Sequence, residues 1–414
     1  MIGLGFYYEI ALAAFLIFYL YLKNQRPRSV ISGVYRQEGK YSTLKFILIA
    51  ILLQVRKKSK VWSVIVKRYF DKDFEPPGLE DLDQPQPLSH HVNAIDAVYF
   101  NGSSASQQVL MCGLARRKKN LVNGFLYLRV PEFSDKFLLT PQLPDTNLYQ
   151  SESDANQFRA EGIHLKPIVP MKTWKISYKG KMQLDATKSE TYDVELNATF
   201  TTNLPTFNYD TDMHYSSAAR AMSREYWSRE YFENLKTFHQ THYEQYGDIK
   251  GYAIIEDEKY EISVNSVRDH SFGVQRDWKI FHRYVMHFFT LENGMRITVG
   301  VISIPVNFSS IAVGFVTDPK DGKNYPITDC NFKLYQHGEN GNPPKNYAFS
   351  FTTENDKTYL VEVNAFATQE FFIGLERESR VIELLSQFTV NGIKGWGAAE
   401  WQYRNLTGSP HLVE

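Results

Sequence analysis

The chain has 414 residues, 46 of them basic and 46 acidic, so its formal net charge is zero. Charged residues make up 22% and hydrophobic residues 43%, which excludes a disordered or low-complexity chain and leaves an ordinary globular composition. Aromatics reach 14%, a bias towards pleated, half-buried surfaces, and the length predicts roughly two to three domains.

The charge is unevenly spread. Between Lys23 and Arg68 there are twelve Lys or Arg and one acid, Glu38, which leaves the rest of the chain net acidic by about ten. An acidic body argues against nucleic acid as a partner. A basic neck beside an apolar segment suits an anionic membrane surface.

That segment runs from Leu4 to Leu22, apolar except for Glu9. Nineteen helical residues rise about 28 Å, enough for a single transmembrane helix. Tyr7, Tyr8, Tyr19 and Tyr21 stand near its ends, as interfacial aromatics do. No Lys or Arg precedes Lys23, so a cleaved signal peptide is disfavoured. Lys23, Arg26, Arg28, Arg36 and Lys40 follow it, and the positive-inside rule then puts the body in the cytosol, on an endomembrane such as the endoplasmic reticulum. Four N-x-S/T sequons, at Asn101, Asn197, Asn307 and Asn405, weigh weakly the other way. A second apolar run, Phe46 to Val55, is too short to span. Thr43 to Phe70 reads either as an in-plane helix at the membrane surface or as a helix packed on the body.

Glu75-Pro76-Pro77-Gly78 and Gln84-Pro85-Gln86-Pro87 mark a linker. Strand patterns then dominate: Ala94 to Phe100, Gln107 to Leu114, Gly124 to Val130, Trp174 to Tyr178 with a turn at Lys179-Gly180, and Thr191 to Phe200. Ser216 to Tyr246 has helical spacing. Strands resume at Gly251 to Ile255, Lys259 to Val264, Trp278 to Leu291, Arg296 to Ile304 and Ile311 to Val316. After a turn at Asp318 to Gly322 come Ala348 to Thr353, Thr358 to Phe366 and Phe388 to Val390. Short strands with turn signals predict an all-β body of sandwiches or barrels.

Cys112 and Cys330 fit no zinc or redox spacing and read as two free, buried thiols. There is no P-loop, HExxH, GxSxG or dinucleotide-binding fingerprint, so neither a nucleotide nor a metal cofactor is expected. His239 and His242, three apart, form a weak metal pair on a helix; His282 and His287 fall on opposite faces of a strand.

The dense polar feature is Arg268-Asp269-His270 with Arg276-Asp277-Trp278. In extended structure Arg268 and His270 face one way and Asp269 the other. One reading makes Asp269 and His270 a general acid and base in a barrel cavity. A second uses Arg268, Arg276 and Asp277 to grip a polar head, with Trp278 as an apolar wall. A third is an ion-pair network that holds a bend.

His242-Tyr243-Glu244-Gln245-x-Gly247, Gly251, Arg268 to Gly273 and Arg276-Asp277-Trp278 together resemble the carotenoid 1,2-hydratases (hydroxyneurosporene synthases) and related two-barrel, lipocalin-like proteins, including the fungal survival-factor proteins. Phe272 stands where that group usually has Trp. Pro170-x-x-x-Trp174-x-x-x-Tyr178-x-Gly180 and Gly395-Trp396-Gly397-x-x-Glu400-Trp401-x-x-Arg404 are further landmarks. The chain also resembles the N-terminal module of animal phosphoenolpyruvate synthase-like proteins, without their phosphotransferase domains. The resemblance implies two calycin-type β domains, at 89–215 and 247–414, joined by a helical linker at 216–246 and preceded by the anchor (1–23) and neck (24–88). It implies a hydrophobic lipid or isoprenoid ligand, carried or chemically altered, with His242, Glu244, Trp174 and Tyr178 on the ligand side.

Overall fold

The computed structural model describes residues 3–23, 30–70, 78–184 and 190–406. The expectations placed on Arg26, Arg28 and the Pro76-Pro77 pair lie outside these residues. The body is all-β with few helices, as its Val-, Tyr- and Phe-rich runs predict.

Two β units share the chain. In the first, Thr173–Leu184, Thr191–Thr201, Gln240–Ile255, Glu258–Gly273, Ile95–Ser103, Val109–Arg116, Leu121–Arg129 and the short Leu138–Leu139 pair in that order, and Leu138–Leu139 pairs back onto Thr173–Leu184 to close the ring. The second is a closed barrel of eight antiparallel strands in simple sequence order, from Arg283–Leu291 to Ile393–Arg404. Closure removes the exposed edges that strand-rich chains must otherwise protect.

The expected division at residue 247 is corrected. The helical segment ends early, as Tyr215–Arg224 and Arg229–Thr237, and Gln240 opens a strand. The hairpin Gln240–Ile255/Glu258–Gly273 belongs to the first unit. Its strands are buried on both faces, so they lack the polar alternation that marks a half-wet strand. The turn expected at Lys179-Gly180 is also absent, since Thr173–Leu184 runs through as one strand.

Each unit has its own core. Phe100, Phe158, Trp174 and Phe200 fill the first; Phe289, Phe332, Phe349 and Trp401 fill the second. The units press their outer sheet faces together in two apolar layers. One joins Met111, Phe125 and Tyr127 to Phe371, Val381 and Leu385. The other joins Phe207, Tyr246 and Val267 to Met286, Phe288 and Phe315. Cys112 and Cys330 are free and buried, as expected. Asn101, Asn307 and Asn405 are buried, so these sequons are not presented to a glycosylating enzyme by the folded chain.

Inside the second barrel, His287 Nδ1 bonds the Val299 carbonyl and Nε2 bonds the Tyr347 hydroxyl. Burial pulls its pKa down from 6.5 to about 4. A His with a depressed folded pKa adds stability that is present above pH 6.5 and lost as pH falls towards 4. The loss amounts to about 3 kcal/mol at most. We expect acid denaturation to begin in that window, and His287→Phe to flatten the slope of stability against pH between pH 6.5 and 4.

Among the described residues, no helix is long and apolar enough to cross a membrane, so the span expected over Leu4 to Leu22 is not supported. Gly3–Lys23 is helical, but it lays Leu16, Ile17 and Leu20 into a cluster with Leu48 and Ile49 of the second helix, Ser42–Phe70. Ile10, Leu12, Phe15 and Phe18 face outwards instead. The second helix packs its first turns on the body: Ser42 Oγ–H donates to the Ser223 carbonyl, and Lys45 Nζ donates to the Glu225 carbonyl at 2.9 Å. Burial pulls the Lys45 pKa down to about 8.

Candidate functional site

The strand Glu258–Gly273 separates two polar clusters, because its alternate residues face opposite ways. Even-numbered Ile262, Val264, Arg268 and His270 point into the first barrel; Val267 and Asp269 point at the second unit.

Inside the barrel, Arg268 donates from Nη1 to Asp83 Oδ1 at 2.6 Å and from Nη2 to Gln245 Oε1 at 2.9 Å. Asp83 also accepts from Tyr243 Oη, Trp174 Nε1 and the Met171 amide. His270 is wholly buried, with Nε2 2.7 Å from Asp96 Oδ1 and Nδ1 3.0 Å from Tyr243 Oη. Arg116 Nη1 bonds the other oxygen of Asp96. Every charged head here has a partner, so the network is a plug that ties the segment around Asp83 to the barrel wall. Arg268 and His270, expected on the ligand side, are thus both held in this buried network inside the first barrel. Trp174 and Tyr178 are packed in the same interior, and Tyr178 Oη–H donates to the Lys181 carbonyl. Asp269 and His270 cannot act together on one substrate, because the sheet lies between them.

The second cluster lies between the units. Glu383 and Glu400 sit directly opposite each other on neighbouring strands. Tyr99 Oη–H donates to Glu383 Oε1 at 2.8 Å, and Tyr284 Oη–H donates to Glu400 Oε1. Glu383 is fully buried, and its carboxyl is hydrogen-bonded to that of Glu400. Burial, then repulsion from Glu400, pushes the Glu383 carboxyl well above the ordinary range. Burial likewise raises Glu400. The pair cannot hold two negative charges at neutral pH without a cation between them, so it keeps a proton.

Nearer the solvent, Tyr209 Oη–H donates to Glu244 Oε1 at 2.9 Å. His242 Nε2 lies 3.3 Å from Glu244 Oε1 and 3.5 Å from Asp269 Oδ2, without completing a hydrogen bond to either. Burial lowers the His242 pKa, but Asp269 and Glu244 outweigh it and leave the imidazole raised. Burial raises Asp269 too. Arg276 hydrogen-bonds Gln240 Oε1 and Ser271 Oγ and stands over the Trp278 ring, whose Nε1 has no partner. Asp277 is spent on the Lys279 amide. The cluster therefore runs from half-exposed His242 and Asp269 inward to buried Glu383, with Met286 and Phe288 beside it.

Four of the expected site residues meet here: Asp269, His242, Glu244 and Arg276, with Trp278 at the rim. Glu383, Tyr99, Tyr209 and Tyr284 were not foreseen, nor were Asp83 and Asp96 in the plug. A lone Glu inside Val381-Ile382-Glu383-Leu384-Leu385 was the available signal. His239 and His242 share no helix face, since one follows a helix and the other lies on a strand; among the described residues no acid, His and Cys grouping suits a metal.

The model of a family of unknown function, DUF8627, matches residues 11–403, and the chain belongs to that family. Comparison with curated proteins finds no match. Among solved structures, a candidate AttH from Nitrosomonas europaea is 13% identical with a TM-score of 0.52, over 80% of this chain and 97% of that one. Kievitone hydratase from Nectria haematococca is 9% identical (TM-score 0.43, 76% and 90% covered), and CghA crystallised with Sch210972 is 9% identical (TM-score 0.43, 79% and 97% covered). The AttH likeness establishes the shared two-barrel, lipocalin-like architecture and no more.

Proposed function

We infer that the chain binds a neutral, mostly apolar molecule between its two β units and transfers a proton to it from the Glu383–Glu400 pair, as a hydratase, isomerase or cyclase would. The observation that carries this reading is the Glu383–Glu400 pair: a buried carboxyl held protonated by its neighbour, beside the apolar seam of Met286 and Phe288 and within the field of Asp269. Protonating a carbon–carbon double bond needs an acid and no cofactor. The resemblance of the His242 and Arg276 motifs to carotenoid 1,2-hydratases supports an isoprenoid-like substrate. Carriage without turnover is the second reading, favoured by the apolar seam alone.

Incubation of the full chain with an isoprenoid-rich lipid extract, followed by mass spectrometry, separates the two. A product heavier by one water, or an isomer with a new retention time, supports catalysis. Capture of an unchanged lipid supports carriage. Neither result would overturn both.

Membrane docking also belongs to this reading. Phe15 and Phe18 are 65% and 59% exposed on the first helix, and Arg56 and Lys57 are exposed on the second. Aromatic side chains beside basic ones suit an anionic bilayer surface, with the body on the cytosolic side. Vesicles containing phosphatidylserine should carry the protein up a flotation gradient. Phe15→Glu with Phe18→Glu should leave it at the bottom, and equal flotation of that variant would sink the idea.

A further inference from the structure

The second barrel carries a polar ring at one end that the inter-unit site does not use. Ser303, Arg283, Tyr403 and Arg380 stand side by side on four consecutive strands, in register. All four share the inward parity of Val301, Val285, Trp401 and Ile382, which line the barrel core. All four are buried, and each keeps one polar atom without a partner: Ser303 Oγ, Arg283 Nε, Tyr403 Oη and Arg380 Nε. Trp401, next along its strand face, turns its indole to the Tyr347 hydroxyl. The Arg283 guanidinium lies 4.8 Å from the Tyr403 ring and 5.6 Å from the Trp401 ring, so these three side chains stand together. Buried polar groups without partners are rare and costly, and four orphans on neighbouring strands call for an acceptor from outside the chain.

We propose that this ring binds a neutral apolar molecule through a carbonyl or hydroxyl oxygen. The charges already present exclude an acid head. Arg283 is paired with Glu339 at 2.7 Å, Arg380 with Glu370 at 2.6 Å, and His282 also faces Glu339. Burial and Arg283 keep His337 below its ordinary pKa. A carboxylate would therefore enter with no free cation to meet it, which a buried site penalises heavily. A neutral oxygen can accept from the Arg283 Nε–H and the Tyr403 hydroxyl at no such cost. The apolar part of the molecule would lie against Trp401, Phe332 and Tyr347, whose rings stand about the same axis. The segment 331–345 covers the ring, held by Arg283 to the His337 carbonyl, by Arg380 to the Gly341 carbonyl and by Tyr35 to Glu339.

The test is titration of the full chain with decanol, decanoate and decane, read by calorimetry. Decanol is expected to bind more tightly than either of the others. Ser303→Ala and Tyr403→Phe each remove an atom that bonds nothing in the protein, so both should melt with the wild type yet weaken decanol by about three- to tenfold. Decanol binding that survives in the double variant Ser303→Ala/Tyr403→Phe belongs to the inter-unit site, so the ring is credited only with the affinity those two changes remove. Equal affinity for decane and decanol, or unchanged affinity in both ring variants, would each overturn the proposal.

Discussion

Glu383→Gln is expected to lower turnover by about 10²–10⁴-fold, the usual span for losing a positioned acid. The substitution keeps the side chain's shape and its bond from Tyr99 Oη, but removes the proton that the buried carboxyl holds. Stability should move the other way. A carboxyl whose folded pKa is raised contributes stability that is present below its unfolded pKa and lost as pH rises through its folded pKa. At neutral pH Glu383 is therefore a burden on the fold, and the Gln variant should melt at the wild-type temperature or above it. The wild-type rate should fall as pH rises through the raised carboxyl pKa, and the variant's residual rate should lose that limb. If the variant unfolds, or turns over at the wild-type rate, the acid lies elsewhere.

How far the sequence led depends on what each pattern could encode. Thr191–Thr201 alternates buried and exposed residues, and its limits were readable within a residue. Of Gln240–Ile255 only the end from Gly251 was readable as a strand; earlier, Tyr243 faces a barrel interior while Glu244 and Tyr246 face the other unit, and both sides are buried. The opposed faces of Arg268 and Asp269 followed from strand geometry alone. Which face would be the plug and which the seam did not, because the partners come from far along the chain: Asp83 from the segment before the first barrel, Asp96 from the strand Ile95–Ser103, and Glu383 and Glu400 from the last two strands. The first helix misled for a simpler reason. Its composition suits a bilayer, yet one flank, Leu16 to Leu20, is used against the second helix.

The plug makes a prediction that separates architecture from catalysis. Asp83 Oδ1 and Oδ2 together accept four hydrogen bonds, from Arg268, Tyr243, Trp174 and the Met171 amide. Asp83→Ala leaves the Arg268 guanidinium charged, 1% exposed and without its counter-ion, and orphans Trp174 Nε1 and the Met171 amide. Breaking a buried pair from one side costs about 3–5 kcal/mol. For units of this size that corresponds to a fall in Tm of about 10 °C or more. Arg268→Met should cost less, because Asp83 then keeps three of its donors, and adding it to Asp83→Ala should restore part of the lost stability by removing the stranded charge. Below the melting transition, the folded fraction of each variant should turn over substrate at close to the wild-type rate, since the sheet separates the plug from Glu383. A large loss of rate per folded molecule, without a matching loss of stability, would return Arg268 and His270 to the active centre and dismiss the seam.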